Sequence, residues 1–368
     1  MSARVIAIMN QKGGVGKTTT AINLGAALAA LDQRVLLIDL DSQANLSAGL
    51  GCRAASIDVS IYAALLEDQP ITDIIVKTRW PNLELAPSHI DLAGAEIELF
   101  QLLAREKKLL KAIQLVRDAY DFIFIDCQPS LSILVVNAMT AATEIFIPLQ
   151  AHPFALEGTG KLIEMIRMVR ETLNPDLKLS GVLLTMEDIR TKLGRSILEK
   201  IRETPELKAA LFDTRVRQNI SIAESQRHGT PIIHFDSNSH GAKAYMKLAY
   251  EVLRIDDGED NNAMDETDAS EPMTASERLG AVEAEPLISP EPDALPQTKS
   301  EPEPELVVKE IVTSTAQDSA QTVAPAAPKK SNRVEPDYRA ASGSNRSSLD
   351  AIAESLAKIR KMRDNDGK

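Results

Sequence analysis

The residues with the clearest chemistry lie near the N-terminus, where glycines and lysines are interleaved after a short apolar run. Glycines let the backbone bend so that successive N–H groups face an anion, and a following helix adds its dipole. Lys17 is placed to reach the β- and γ-phosphates of a nucleotide, and the Thr18 hydroxyl to hold Mg²⁺. The pattern predicts a phosphate-binding loop made of Gln11, Lys12, Gly13, Gly14, Val15, Gly16, Lys17, Thr18 and Thr19.

Two positions of this loop depart from the usual phosphate-loop pattern. Gln11 stands where that pattern has glycine, and Lys12 adds a second lysine ahead of the glycines. Phosphoryl transfer depends on charge stabilisation around the γ-phosphate, so Lys12 is the candidate for an additional catalytic cation. A glycine-rich turn with surface lysines is the alternative, and the strand before and helix after the loop argue against it.

Three carboxylates end predicted strands. Asp39 and Asp41 follow the apolar run that starts at Val35, and Asp126 ends the run that starts at Asp121. Ligands bind outside the carboxyl ends of parallel strands, so these acids are expected beside the phosphate loop. One of the first pair can hold the metal's water shell while the other orients the attacking water, and Asp126 can position Mg²⁺. Ordinary strand-end caps are the alternative.

The remaining periodicity predicts an α/β fold with a mostly parallel sheet covered by helices on both faces. Predicted strands cover residues 4–9, 35–39, 83–86, 121–126, 144–149 and 179–185. Predicted helices cover residues 16–31, 97–120, 156–173, 196–203 and 242–254.

Charge divides the chain into two parts. Residues 1–255 carry 28 Lys and Arg against 29 Asp and Glu, whereas residues 256–368 carry 13 against 24. The near-neutral front part can therefore hold a basic face that the total charge of −12 hides. Residues 256–345 contain 10 of the 19 prolines and few large apolar side chains, which predicts a disordered acidic linker.

A short amphipathic helix is predicted at residues 346–363, followed by a disordered end at 364–368. Leu349, Ile352, Leu356 and Ile359 recur at helical spacing, with basic residues at the C-terminal end of the segment. Such a segment can bind a partner or a membrane surface, or form only a transient helix on a solvated tail.

Other features exclude several classes of protein. Cys52 and Cys127 lie far apart and make neither a metal-type pair nor a disulfide framework, which favours a reducing compartment. The first residues lack the basic start, apolar stretch and cleavage site that are typical of a signal peptide. No uninterrupted apolar run is long enough to cross a bilayer. We expect a soluble, cytoplasmic protein that is not exported, and a membrane is not its expected partner.

Residues 12–18 resemble the deviant Walker A motif of the ParA/MinD family. Residues 10–11 and the segment Asp39–Asn45 look like the ParA (Soj) branch, and residues 124–131 are similar to its Walker B segment, with Gln128 in place of a usual proline. Further matches are residues 155–158, 219–224, 228–229 and 241–245. The resemblance covers roughly residues 1–254 and implies an ATPase that dimerises around two ATP molecules with Mg²⁺.

The resemblance also implies roles for single residues. Lys12 would reach the partner's phosphates, Asp41 would be tied to hydrolysis, and Asp39, Thr18 and Asp126 would surround the metal. The ATP dimer would bind nonspecific DNA on the nucleoid, and a ParB-like or other cargo adaptor would stimulate hydrolysis during chromosome or plasmid partitioning. Ser221 occupies the place of an expected DNA-binding arginine, and the nearby candidate replacements are Arg215, Arg217 and Arg227. Arg190, Lys192 and Arg195 could complete a basic face.

Three alternatives remain open at this point. A ParA-like ATPase could position a protein cargo or polar complex, to which the unusual tail would adapt it. A MinD-like regulator would use the terminal helix to bind a membrane. A reductase resembling the nitrogenase iron protein would need a cysteine pair that bridges a cluster between subunits, and the two cysteines lie in the wrong motifs.

Overall fold

The computed structural model describes residues 2–52, 57–150, 155–187 and 192–256. Its strands are β1 (Arg4–Ile8), β2 (Val35–Leu40), β3 (Val76–Lys77), β4 (Leu83–Ala86), β5 (Phe122–Cys127), β6 (Glu144–Gln150), β7 (Lys178–Glu187) and β8 (Leu211–Arg217). They form one sheet in the order β3-β4-β2-β5-β1-β6-β7-β8. The pairing of β3 with β4 is antiparallel and the other pairings are parallel.

Helices follow most of the strands. They are α1 (Lys17–Ala30), α2 (Asn45–Gly49), α3 (Ile61–Leu66), α4 (Leu92–Leu99), α5 (Lys108–Gln114), α6 (Ile133–Ala141), α7 (Ala155–Thr172), α8 (Lys192–Glu203), α9 (Pro205–Ala209), α10 (Ile220–Arg227), α11 (Ile232–Phe235) and α12 (His240–Asp256).

The sheet has a hydrophobic core on each face, because successive side chains of a strand point to opposite sides. In β1, Val5 and Ala7 belong to the core that includes residues of α5, α6 and α7. Ile6 and Ile8 belong to the core that includes residues of α1 and α12. The predicted α/β sheet covered on both faces is confirmed. The predicted acidic linker and terminal helix lie outside the described residues.

The prediction of one helix over residues 97–120 was wrong. The chain leaves α4 through Ala104, which has a positive φ of 49°, and a separate helix α5 follows. Asn137 of α6 explains the new start: its amide donates to the Arg105 carbonyl at 2.8 Å and accepts from the Leu109 N–H at 3.1 Å. The Asn137 side chain thus forms hydrogen bonds with backbone groups that would be paired within the helix if the helix were continuous.

Candidate functional site

Three neighbouring strands end at one level of the sheet. Parallel pairing aligns Ile8 of β1 with Asp126 of β5, and Asp126 with Asp39 of β2. The loop after β1 and both carboxylates therefore lie at the same carboxyl edge, where ligands bind in open α/β sheets.

The glycine loop between β1 and α1 is shaped by its own backbone and fixed by its neighbours. Gly14 and Gly16 have φ values of 73° and 89°, which side-chain-bearing residues rarely adopt. Asn10 donates from its amide to the Pro148 carbonyl at 2.8 Å and accepts from the Lys12 N–H at 3.0 Å. On the other side of the loop, the Thr185 hydroxyl of β7 donates to the Val15 carbonyl at 2.8 Å.

Lys17 and Asp126 are both buried at the base of this loop, where their charges interact. Lys17 is 7% exposed and Asp126 is 1% exposed. Burial lowers the pKa of Lys17, and the charge of Asp126 opposes that shift. Burial raises the pKa of Asp126 well above its usual value, and the charge of Asp39 adds to this rise. The Thr18 hydroxyl and the charge of Lys17 lower the pKa.

The carboxylate of Asp126 supports a metal at this position. Both of its oxygens are buried, and no described protein donor meets hydrogen-bond geometry with either one. A buried carboxylate without partners is costly unless a cation or water satisfies it. Because Mg²⁺ prefers oxygen ligands and usually keeps several waters, Asp126 and the nearby Thr18 hydroxyl fit a hydrated Mg²⁺ ion.

Asp39 is placed differently from the other two acids. It is fully buried, and it accepts hydrogen bonds from the Ser47 N–H at 2.9 Å, the Ser47 hydroxyl at 2.7 Å and the Asp41 N–H at 3.3 Å. Burial raises its pKa to about 6 despite these bonds. Through these hydrogen bonds, Asp39 stabilises the turn that contains Asp41. Its predicted part in the metal's water shell stays a prediction.

The cleft above the loop has a volume of about 910 Å³, which is ample for a nucleotide. Asp41 reaches it, with Oδ1 accepting from the Gln43 N–H at 3.0 Å. The lining comprises Gly13, Gly14, Gly16, Lys17, Thr18, Thr19, Asp41, Ser42, Gln43, Asn45, Ala48, Gly49, Gln128, Pro129, Ser130, Met186, Ala223, Gln226 and Arg227.

The C-terminal end of α10 forms one wall of the cleft. The Gln226 amide donates to the Thr19 hydroxyl at 2.7 Å, which joins this wall to the loop helix α1. Arg79 holds the next turn by donating to the Gly229 carbonyl at 2.8 Å and to the Thr230 hydroxyl at 2.6 Å. Arg227 is therefore carried on a fixed element, and its guanidinium makes no ion pair or hydrogen bond within the described residues.

Lys12 does not line the cleft of its own chain. Its side chain is half-buried, and its carbonyl accepts from the Lys17 ammonium at 3.4 Å. Gln11 is also half-buried, and its amide nitrogen is an unpartnered donor among the described residues.

The predicted DNA-binding residues that the structure describes lie on three elements, β8, α8 and α10. Arg215 and Arg217 lie on the edge strand β8, where Arg217 is exposed and pairs in register with Glu187 at the end of β7. Lys192 is the first residue of α8, and Arg190 lies outside the described residues. Arg227 lines the cleft above the glycine loop, and its predicted contact with DNA stays a prediction.

Sequence reasoning missed several residues of the cleft. Gln128 and Ser130 line it from the loop after β5, and Ser130 has a buried hydroxyl without a partner among the described residues. Their position just after Asp126 was the available signal. Gln226 carried no comparable signal, because only the packing of α10 brings it to Thr19.

Comparisons with known proteins agree with this geometry. Residues 3–179 match the family described as an AAA domain. The chain is 45% identical over 249 residues to the sporulation initiation inhibitor protein Soj of Bacillus subtilis, covering 68% of this chain and 98% of that protein. It is 45% identical over 252 residues to the chromosome partitioning protein ParA of Caulobacter vibrioides, covering 68% and 94%.

A solved structure shares the fold together with a bound nucleotide. The cobyrinic acid a,c-diamide synthase of Mycobacterium smegmatis, with an ATP analog and magnesium, is 36% identical and has a TM-score of 0.58. The match covers 70% of this chain and 96% of that one. In the described ranges, no helix has the length and apolar character needed to cross a membrane.

Proposed function

Because this chain belongs to the ParA/Soj family of P-loop ATPases, we propose that it dimerises on ATP, binds nonspecific DNA and partitions chromosomes or plasmids. The protein is an ATPase that uses ATP with Mg²⁺. We assign this activity to residues 1–255 and expect the protein on the nucleoid. The observation that carries the proposal is the unpartnered Asp126 carboxylate beside Lys17 and Thr18 at the base of the cleft.

The loop residues would hold the triphosphate. The N–H groups of residues 13–18 would face the phosphates, and the Lys17 ammonium, whose charge interacts with that of Asp126, would bind them as a cation. The Thr18 hydroxyl and Asp126 would hold Mg²⁺, which when bound offsets the charge that develops on the phosphates. Gly13 and Gly14 leave open space where a Cβ would stand, so the phosphates can approach the backbone closely.

Hydrolysis requires a water aligned with the γ-phosphate. Asp41 is the residue that we assign to this step, because its carboxylate faces the cleft from a turn fixed by Asp39 and Ser47. Positioning and electrostatic stabilisation account for most catalysis in phosphoryl transfer. If a second subunit supplies part of the positive charge that stabilises the γ-phosphate, the monomer should hydrolyse ATP slowly.

Lys12 would supply that charge. Its side chain does not line the cleft of its own chain and makes no ion pair or hydrogen bond within the described residues. A lysine beside the cleft but outside it can reach a nucleotide held by a second copy. ATP would thereby form part of the dimer interface, and dimerisation would depend on ATP.

DNA binding would use the basic residues near the end of the β7–β8 edge. Arg215 and Arg217 lie on β8, and Lys192 starts the helix that follows residue 191. Arg190 precedes that helix in sequence. Contacts between such residues and phosphates release counterions, so affinity should fall steeply with salt and show little sequence preference. A ParB-like or other cargo adaptor would then stimulate hydrolysis and release the dimer.

The proposal is tested with full-length protein in three linked measurements. Sedimentation with Mg-ATP should show a dimer that ADP does not support. Binding to random-sequence DNA should appear only with ATP and should weaken as salt rises. A monomer in ATP would refute the dimer assignment, and equal DNA binding in ATP and ADP would refute the switch.

A further inference from the structure

One surface of the domain exposes a row of large apolar side chains. Ile90, Ile97, Phe100 and Leu103 are 58%, 72%, 41% and 94% exposed. Together with Ala93 they recur every three or four residues, so they follow one face of a helical path on and beside α4. We call these five residues the α4 stripe.

The orientation of the α4 stripe is fixed by the other face of the helix. Leu92, Ala95 and Leu99 are fully buried in the core, so α4 cannot turn its outer face inward without exposing them. Carboxylates flank the stripe at residues 91, 96 and 98, and residues 90–104 contain no lysine or arginine. At the C-terminal end of the stripe, the Arg105 guanidinium lies 5.0 Å from the centre of the Phe100 ring. The surface is therefore apolar along its centre and acidic along the sides of α4, with one basic group at its end.

A segment with the same spacing and the opposite charge lies near the C-terminus of the sequence. Leu349, Ile352, Leu356 and Ile359 recur every three or four residues within residues 346–363. This segment has five basic and two acidic residues, in contrast to the acidic linker before it. It lies outside the described residues, so the match is one of sequence pattern and charge.

The linker is long enough to bring the two together. Residues 257–345 separate the segment from the end of α12. A flexible chain of this length spans on the order of 50 Å, whereas a compact domain of this size has a radius of gyration of about 18 Å. Attachment to the same chain also gives an effective concentration on the order of millimolar, which allows weak docking to be populated.

We infer that residues 346–363 dock as an amphipathic helix on the α4 stripe of their own chain. The apolar residues of the segment cover the stripe, and its basic end lies against the flanking carboxylates. The docked helix lies beside the nucleotide cleft, because Glu96 of α4 accepts a hydrogen bond from Gln128, which lines the cleft. Docking itself requires neither nucleotide nor DNA.

Amide hydrogen exchange in the full-length, nucleotide-free protein tests this inference. Ile352→Asp with Leu356→Asp should speed exchange in residues 90–103 about tenfold, because the stripe loses its cover. Ile97→Asp with Leu103→Asp should speed exchange in residues 346–363 by a similar factor. Both stripe residues are exposed, so their replacement should not unfold the domain.

A matched control separates docking from added charge. Ala351→Asp with Ser355→Asp adds the same two charges to the other face of the segment and should leave exchange in residues 90–103 unchanged. Unchanged exchange there in the Ile352 and Leu356 variant would overturn the inference. A loss of exchange protection in residues 90–103 on dilution of the protein would also overturn the inference, because it would mean that a second copy covers the stripe.

Discussion

The nucleotide cleft and the α4 stripe are neighbouring surfaces that are built in opposite ways. In the cleft, polar side chains are held by hydrogen bonds, as Asp39 is by the nearby Ser47 and Thr19 is by Gln226, which is distant in the chain. In the stripe, Ile97 and Leu103 point outward with most of their surface exposed. A cleft that binds a small charged ligand benefits from groups that are already positioned, because little freedom is then lost on binding. An apolar surface gains its energy only when something covers it.

The largest effect is expected at the base of the cleft. Lys17→Ala should reduce ATP turnover on the order of 10²–10³-fold, because the ammonium that stabilises charge on the phosphates is lost. Steady-state phosphate release measures this change. Lys12→Ala is the matched control: it should retain binding of ATP by the monomer, measured by calorimetry, while it loses ATP-dependent dimerisation. Equal loss of monomer binding in both variants would contradict the separation of roles.

The second largest effect is expected on stability, from the hydrogen bonds that hold Asp39 in place. Ser47→Ala should lower the free energy of unfolding by about 1–3 kcal/mol, because the buried Asp39 carboxylate loses a hydroxyl donor. The Ser88 N–H also donates to that hydroxyl at 3.1 Å and would lose its acceptor. Urea unfolding measures the change. Ser221→Ala, which removes only a 3.4 Å contact to Asp236, should have a much smaller effect.

The third effect distinguishes the cleft from the DNA face. Arg227→Ala should weaken ATP binding about tenfold, as expected from the loss of one charged contact, and leave DNA binding unchanged at saturating ATP. Arg217→Ala should do the reverse, weakening DNA binding and reducing the slope of its salt dependence by about one. Loss of DNA binding in the Arg227 variant at saturating ATP would restore its original assignment.

The smallest effect is expected in the stripe. Leu103→Gln should change the free energy of unfolding by less than about 0.5 kcal/mol, because the side chain is 94% exposed. Leu99→Gln, four residues earlier on the buried face, should cost several times more. Thermal unfolding of the two variants compares them directly. Similar losses would mean that Leu103 is packed into the core as Leu99 is, rather than covered only by weak docking of residues 346–363.

Much of the fold could be predicted because its signals are local. Strands β1, β2, β4, β5, β6 and β7 are apolar runs, and their predicted bounds differ from the observed ones by two residues at most. Helix α6 was missed because all nine of its residues are buried, which leaves no amphipathic period to detect. Strand β8 was missed although it alternates between buried and less buried residues, since charged side chains interrupt its apolar positions.

The sequence by itself determined the phosphate loop, since backbone conformation at Gly14 and Gly16 depends on residue type and the strand and helix beside the loop are local. It also determined which acids end the strands. Only the tertiary structure decided that Asp39 holds a turn in place, that Asp126 has no hydrogen-bond donor among the described residues and that Arg227 lines the cleft. The reason is physical: whether a polar group is buried, and which groups surround it, depends on elements from distant parts of the chain. Their arrangement exists only after the sheet and its helices have packed.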